Sequence, residues 1–354
     1  MKSPFGAALL AAACTFSAPA LAGVVSSPAD GHASNPTWSP DGQHLSFELN
    51  KNTNTIGLYL MDVSPSLTGE PAAVKLPGNC SFGSCDQVLT NPSWHPNSQM
   101  AVFEGSNAGG MFRIYMTTPN NPGLTNEMID MKTAPGHLTF PDVSPDGRGL
   151  LFVSGATGHG DVLTWDSGSK ATVAQTSTDA PESFPLYAVD GQSVAFNRRD
   201  GDSTSVFVKQ IGNGEQALVS GAGDHTRPVH AADGRIVYFD KSVNAAEWEL
   251  RSAVGDKMAV LGQNIRLPDR ARPALSPDGE WVAMGWGDPT KNHRITIAKI
   301  DGSKVVEVNT PYTAAGEPAL TERDGRILLA FTALPASDAA WRFVVVEDVT
   351  EQLK

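Results

Sequence analysis

Seven polar side chains of this sequence recur at one place relative to a repeated proline. They stand three or four residues before it and comprise three histidines, three carboxylates and one arginine: His32, His137, Glu182, Asp224, His225, Asp269 and Arg270. Imidazole nitrogen and carboxylate oxygen are common ligands of first-row metals in proteins. If the fold brings these positions to one rim, they form a binding site for a divalent metal or an anionic sugar. The alternative is that these side chains form an ordinary solvated rim, because two of the repeats have an apolar residue, Val88 or Ala314, at the equivalent position.

The proline that sets this position belongs to a repeat of seven copies. The clearest copy reads Asn-Pro-Thr-Trp-Ser-Pro-Asp-Gly over residues 35–42, and successive repeat prolines are 56, 49, 44, 43, 45 and 45 residues apart. Four short strands with their turns occupy a period of this length in a propeller blade. The repeat prolines are Pro36, Pro92, Pro141, Pro185, Pro228, Pro273 and Pro318.

Two further positions of the repeat can be explained by the local structure that they require. The Ser-Pro-Asp-Gly tetrapeptide, intact at residues 39–42, 144–147 and 276–279, predicts a tight turn in which proline presets φ and glycine takes a left-handed conformation. In the first five copies the residue eleven positions after the repeat proline is aromatic, and in the sixth copy it is methionine. This residue is expected to pack blade against blade. The residues are Phe47, Phe103, Phe152, Phe196, Phe239 and Met284.

The pattern predicts an all-β fold, a seven-bladed β-propeller of four-stranded antiparallel blades; six blades is the alternative count. A β-sandwich would not repeat one pattern seven times in register. In the last copy a third strand is expected at residues 343–346, and residues 350–354 are too few for a fourth. We therefore expect Val24 and Val25 to supply that strand and close the ring, which leaves no open sheet edge there.

The first 22 residues have the form of a signal peptide. Lys2 precedes an apolar stretch, and Ala20-Leu21-Ala22 has the small-x-small pattern that signal peptidase requires. Cys14 lacks the leucine three residues earlier that lipoprotein acceptors carry. We expect residues 1–22 to be removed and residues 23–354 to form a single propeller domain in the periplasm or outside the cell, with no membrane span.

Composition restricts the partners. The net charge of −12 and the pI near 5.1 argue against nucleic acid and anionic membrane surfaces, which bind basic faces. Cys80 and Cys85 lie in a Gly/Ser-rich stretch with four residues between them. In an oxidising compartment such a pair predicts a local disulfide.

The repeat, followed by Leu45-Ser46-Phe47 and by Leu58-Tyr59-Leu60-Met61-Asp62, resembles the WD40-like (PD40) repeat of the TolB propeller. Similar repeats occur in the tricorn protease, in prolyl-oligopeptidase-type propellers and in oligogalacturonate lyases. The TolB family carries an N-terminal α/β domain before six blades. Here the first repeat closely follows the predicted cleavage site and there are seven copies, so the resemblance implies a TolB-like protein that lacks that domain.

Two function classes agree with these observations. The first is an exported, non-catalytic, monomeric module that binds a protein or polysaccharide of the cell envelope at its central-channel rim, without a required cofactor. The second is a polysaccharide lyase for uronate-containing chains, in which a rim metal or Arg270 would neutralise the substrate carboxylate while a histidine removed the adjacent proton. The sequence contains neither a Gly-x-Ser-x-Gly elbow nor a His-Glu-x-x-His motif, which argues against a peptidase. If the protein is a binding module, we expect the side chains of His225 and Arg270 to lie outside the blade cores.

Overall fold

The computed structural model describes residues 22–25, 31–51, 55–77, 87–107, 110–265, 267, 272–286, 294–334 and 340–354. Cys80, Cys85, Asp269, Arg270 and residues 1–21 lie outside this part of the chain. The described residues are mainly in strands, with one short helix, α1, at Thr350–Leu353. The all-β prediction is confirmed.

After a first strand β1, Ala22–Val25, the strands follow one another in antiparallel sets. The first strand of each set contains a repeat proline, except in the sixth set, where Pro273 directly precedes that strand. The first four sets are β2 His32–Trp38, β3 His44–Asn50, β4 Ile56–Asp62 and β5 Ala72–Ala73; β6 Gln87–Trp94, β7 Ala101–Asn107, β8 Arg113–Thr118 and β9 Asn121–Glu127; β10 Leu138–Val143, β11 Gly149–Ser154, β12 Asp161–Asp166 and β13 Thr172–Ala174; β14 Glu182–Tyr187, β15 Ser193–Asp200, β16 Ser203–Gln210 and β17 Glu215–Val219.

The remaining sets lie in the second half of the chain. They are β18 Asp224–His230, β19 Ile236–Lys241, β20 Trp248–Val254 and β21 Lys257–Ile265; β22 Ala274–Leu275, β23 Trp281–Trp286, β24 Arg294–Lys299 and β25 Val305–Glu307; β26 Thr313–Arg323, β27 Arg326–Leu334 and β28 Phe343–Asp348. We call each set a blade and number the blades 1 to 7 in chain order. The propeller architecture is confirmed; the count of seven remains the prediction from the repeats, and this grouping agrees with it.

The N-terminal strand completes the last blade. β1 pairs antiparallel with β28, with Val24 opposite Val345 and Val25 opposite Val344. Blade 7 thus contains β26, β27, β28 and β1 in spatial order, and both ends of the described chain meet in one sheet. The predicted closure is confirmed, and it protects an edge that β28 would otherwise expose.

The hydrophobic core is divided among the blade interfaces. Each of the seven buried clusters of the described residues combines side chains from two neighbouring blades, with Phe47, Phe103, Phe152 and Phe196 fully buried. The second strand of a blade is covered on both faces, so it is buried almost along its whole length. The smallest cluster, with five buried side chains, lies between blades 4 and 5.

The turns have the predicted chemistry. In the first copy the Ser39 hydroxyl donates to Asp41 Oδ1 (2.6 Å) and accepts from the His44 N–H (2.9 Å), and Gly42 has φ +67°. The same hydroxyl-to-carboxylate bond occurs in the other two intact copies, at Ser144 and Ser276. These local bonds fix the turn between the first and second strands and so set the register of each blade.

Candidate functional site

In six blades the first strand bends just before the repeat proline. The hydrogen-bond register shifts there, as in a β-bulge, and the pre-proline residue has a positive φ of 48–56° in six blades. This conformation is strained for residues other than glycine and asparagine. The six residues are Asn35, Asn91, Phe140, Phe184, Arg227 and Glu317.

The strained backbone is held by the preceding blade. A side chain of that blade's second strand accepts a hydrogen bond from the N–H of the pre-proline residue. We call this contact the blade clasp. The three clasps are Glu48 with Asn91, Glu104 with Phe140, and Asn197 with Arg227, at N···O distances of 2.9, 2.6 and 3.0 Å.

Blades 7 and 1 are joined by a variant of this contact. Glu317, the pre-proline residue of blade 7, accepts from the Asn35 N–H at 3.2 Å, and the Asn35 amide donates to Glu48 at 2.9 Å. Sequence reasoning did not identify Glu48 or Glu104. The available signal was an acidic residue directly after the buried Phe47 and Phe103 on a strand that the pattern predicts to be buried.

Four of the pre-proline residues lie on the wall of the central channel. A cavity of about 310 Å³ there is lined by Asn35, Asn91, Arg272 and Glu317, together with Asp142. Arg272 is the pre-proline residue of blade 6. The wall therefore offers amides and carboxylates from blades 7, 1, 2 and 3 and a guanidinium from blade 6.

An aromatic and cationic group lies on the side of blades 3 to 6. The Arg272 guanidinium donates to the backbone oxygens of Phe184 (3.3 Å) and Pro185 (3.1 Å). The guanidinium carbons of Arg272 and Arg227 lie 5.6 and 5.0 Å from the centroid of the Phe184 ring, and the Phe140 ring lies 4.6 Å from it. Two arginines thus lie near one aromatic ring, where cation–π attraction orients them.

Asp142 is the carboxylate associated with Arg272. It accepts from the Tyr187 N–H (2.9 Å) and from the Ser93 hydroxyl (3.2 Å). Burial raises the pKa of Asp142, and these hydrogen bonds and the charge of Arg272 oppose that shift. The channel wall thus carries both a carboxyl group and a guanidinium group.

The predicted rim histidines of blades 1 and 3 occupy different surroundings. His32 is half-buried, and its ring lies edge-on to Trp341 at 5.0 Å between centroids. Burial and the nearby charge of Arg342 lower the pKa of His32. His137 is exposed and its Nδ1 accepts from the Phe112 N–H at 3.2 Å.

Glu182 is buried inside blade 4. Its carboxylate accepts from Arg198 Nε (2.8 Å) and from the hydroxyls of Thr176 (2.9 Å) and Thr178 (2.8 Å). Arg198 also contacts Glu215. These bonds satisfy the Glu182 carboxylate within its own blade.

The residues of blade 5 require a correction. His225 was expected outside the blade cores, but it is only 8% exposed, and its Nδ1 lies 2.5 Å from Asp240 Oδ1. Asp240 in turn lies 3.2 Å from Arg251 Nε. His225 is buried because the first strand begins at Asp224 and already pairs at that point with the second strand, which sets His225 opposite Asp240. Asp224 is half-buried next to it.

The structure does not show the predicted metal site. In the described part of the chain, no three or more His, Cys, Asp or Glu side chains are grouped so that they could hold a metal ion. Asp269 and Arg270, the predicted residues of blade 6, lie outside the described residues. The channel-lining residues were not predicted, because sequence reasoning assigned the site to positions two or three residues closer to the strand start.

Comparison with known proteins gives matches in structure alone. No protein-family model and no curated protein sequence matches the chain. TolB from Acinetobacter baumannii superposes with a TM-score of 0.56 at 18% identity, over 82% of this chain and 66% of TolB. Oligogalacturonate lyase in complex with manganese gives a TM-score of 0.61 at 12% identity, over 90% and 89% of the two chains. Puromycin hydrolase gives 0.63 at 15% identity, over 93% of this chain and 55% of the hydrolase.

The fold is that of a TolB-like β-propeller. The predicted resemblance is confirmed at this level. Identities in this range show the fold and leave the activity open, because one propeller scaffold serves many unrelated functions. Among the described residues no helix is long and apolar enough to cross a membrane.

Proposed function

We propose that the protein is an exported, non-catalytic, TolB-like propeller that binds a segment of a cell-envelope protein at the mouth of its central channel. The mouth is the end of the channel at which the first strands of the blades begin. The predicted leader supports export. The location relies on one observation, the cavity that the pre-proline residues and Asp142 line.

The cavity suits part of a chain rather than a folded domain. Its volume, about 310 Å³, is at the lower limit of ordinary ligand cavities, which hold about 300–1,000 Å³. Asn35 and Asn91 use their amide nitrogens on Glu48 and Glu104. Their amide oxygens can accept from a peptide, and Arg272 can pair with a carboxylate.

Strain at this wall also supports a binding role. Left-handed backbone at phenylalanine, arginine and glutamate persists when surrounding contacts enforce it, and such residues cluster at functional sites. Of these strained residues, Glu317 lines the cavity, and the clasps hold Phe140 and Arg227. The lyase alternative receives no specific support, because Glu182 and His225 are bound to Arg198 and Asp240 within the scaffold.

Site-specific photo-cross-linking tests the proposal. A photo-reactive amino acid is placed at His137, which is exposed near the channel mouth, and for comparison at Val173, which is 59% exposed on the outer strand β13. The protein is expressed with its leader in its own host, and cross-linked products are identified by mass spectrometry. We expect one protein partner from position 137, and we expect Arg272→Ala to abolish that product.

Arg294→Ala serves as the matched control, because Arg294 is exposed and pairs with Glu307 on an outer strand. Products from position 173 alone would place the partner on the side of the ring and contradict the proposal. Binding of polygalacturonate without a protein product would identify a polysaccharide ligand instead. Release of unsaturated uronate products, detected by ultraviolet absorbance, would show a lyase.

A further inference from the structure

The position two residues after the repeat proline lies at the seam between a blade and the one before it. In blade 1 the Trp38 indole N–H donates to Ala319 O of blade 7 at 3.2 Å. In blade 2 the Trp94 N–H donates to Thr37 O of blade 1, also at 3.2 Å. A ring with a hydrogen-bond donor therefore closes these seams.

Blade 5 carries a smaller ring at this position. His230 replaces the indole, and its Nε2 is buried with no hydrogen-bond partner among the described residues. A buried polar atom without a partner destabilises by about 1–3 kcal/mol. This seam is therefore less well closed than the seams of blades 1 and 2.

The seam beside His230 is open. A groove of about 790 Å³ runs between blades 4 and 5, more than twice the volume of the channel cavity. The two hairpin turns form its mouth, where Val189 is 62% exposed. This is also the blade interface with the smallest buried cluster. We call this space the seam groove.

The residues that line the seam groove favour a cationic ligand over an anionic one. The wall combines apolar side chains, among them Ala217 and Ala231, with the uncharged polar side chains of Ser193, Gln210 and Gln216. Two lining residues, Asp190 and Asp256, are acidic, and none of the lining residues is lysine or arginine. Burial lowers the pKa of His230 to about 4, so its ring is neutral at physiological pH and adds no positive charge.

We propose that the seam groove binds a small aromatic amine. The internal precedent for the aromatic part is the indole that blades 1 and 2 place at the same seam position. The amine would lie near Asp190 and Asp256, and the aromatic ring would pack beside the His230 imidazole. A volume of this size is within the ordinary range for small-molecule sites.

Isothermal titration at physiological salt tests the proposal with three probes that share the indole ring: tryptamine, neutral indole and anionic indole-3-acetate. We expect tryptamine to bind more tightly than indole by up to about thirtyfold, since each of the two exposed charge pairs contributes up to about 1 kcal/mol. Indole-3-acetate should bind most weakly. Equal affinities for the three probes, or no binding of tryptamine, would refute the proposal.

Variants locate the site. His230→Trp fills the groove with the residue that blades 1 and 2 carry, and should weaken tryptamine binding at least tenfold. Asp190→Asn should weaken tryptamine binding about two- to fivefold and leave indole binding unchanged. Asp233→Asn is the matched control, because Asp233 lies on a neighbouring turn, pairs with Arg235 and does not line the groove.

If His230→Trp does not fold, Ala217→Trp blocks the groove from the outer strand and should give the same loss. Wild-type affinity in a folded groove-filling variant would show that tryptamine binds elsewhere. The channel proposal is independent, because Arg272 lies outside this groove and its substitution should leave tryptamine binding unchanged.

Discussion

Removing the clasp between blades 2 and 3 should strongly destabilise the propeller, because the clasp side chain accepts several hydrogen bonds at once. Glu104 is 4% exposed, and its oxygens accept from the Thr90 hydroxyl (2.9 Å), the Asn91 amide (2.9 Å) and the Phe140 N–H (2.6 Å). Glu104→Ala leaves three donors, one buried and two half-buried, without this acceptor. At about 1 kcal/mol or more for each donor, the free energy of unfolding should fall by about 3–5 kcal/mol.

Urea denaturation measures this loss. Glu280→Ala is the matched control, because Glu280 is exposed and its contact with Lys299 is 3.5 Å long, so the change should stay below about 1 kcal/mol. Glu104→Gln should give an intermediate loss, since it keeps one oxygen but points an N–H group at a donor. If Glu104→Ala were no more destabilising than Glu280→Ala, the clasp would not hold blade 3 against blade 2.

Three further predictions concern other parts of the ring. Burial lowers the pKa of His230 from 6.5 to about 4, so between these pH values the unfolded chain binds a proton that the folded chain does not. The free energy of unfolding, measured by urea titration, should therefore fall by at most about 3 kcal/mol as pH decreases from 6.5 to 4. His230→Phe should remove this pH dependence. Gly147→Val should cost about 1–3 kcal/mol in thermal melts, because φ is +73° and a Cβ there would lie 2.4 Å from His95 Nε2; an unchanged melting temperature would contradict the assigned turn. Cys80 and Cys85 should form a disulfide worth about 2 kcal/mol, and mass spectrometry of the exported protein should find no free thiol.

The parts of the fold that the sequence predicted are those set by local chemistry. The Ser-Pro-Asp-Gly turn is made of bonds within five residues, as at Ser39 and Asp41, so the repeat could be recognised from one chain. Closure by Val24 and Val25 followed from counting strands. Burial of Phe47 followed from its fixed distance to the turn.

The candidate site could be predicted only in part, because its contacts join distant residues. Glu48 and Asn91 are 43 positions apart, and Arg272 lies 88 positions from Phe184. Repeat alignment predicts which residues share a level of the ring, but it does not show which side chain of the preceding blade contacts them. It also placed His225 at an open rim, whereas the cross-strand register buries it against Asp240.

At the pre-proline position the backbone and the side chain of one residue can have different roles. Its backbone N–H is used by the clasp, whatever side chain it carries, as Asn91 and Phe140 both show. Its side chain differs between blades, and at Arg272 and Glu317 it lines the cavity with opposite charges. Where the clasp uses only the backbone N–H, as at Phe140, the side chain can change without altering that bond. The residues before the repeat prolines are accordingly where we expect ligand specificity to be determined.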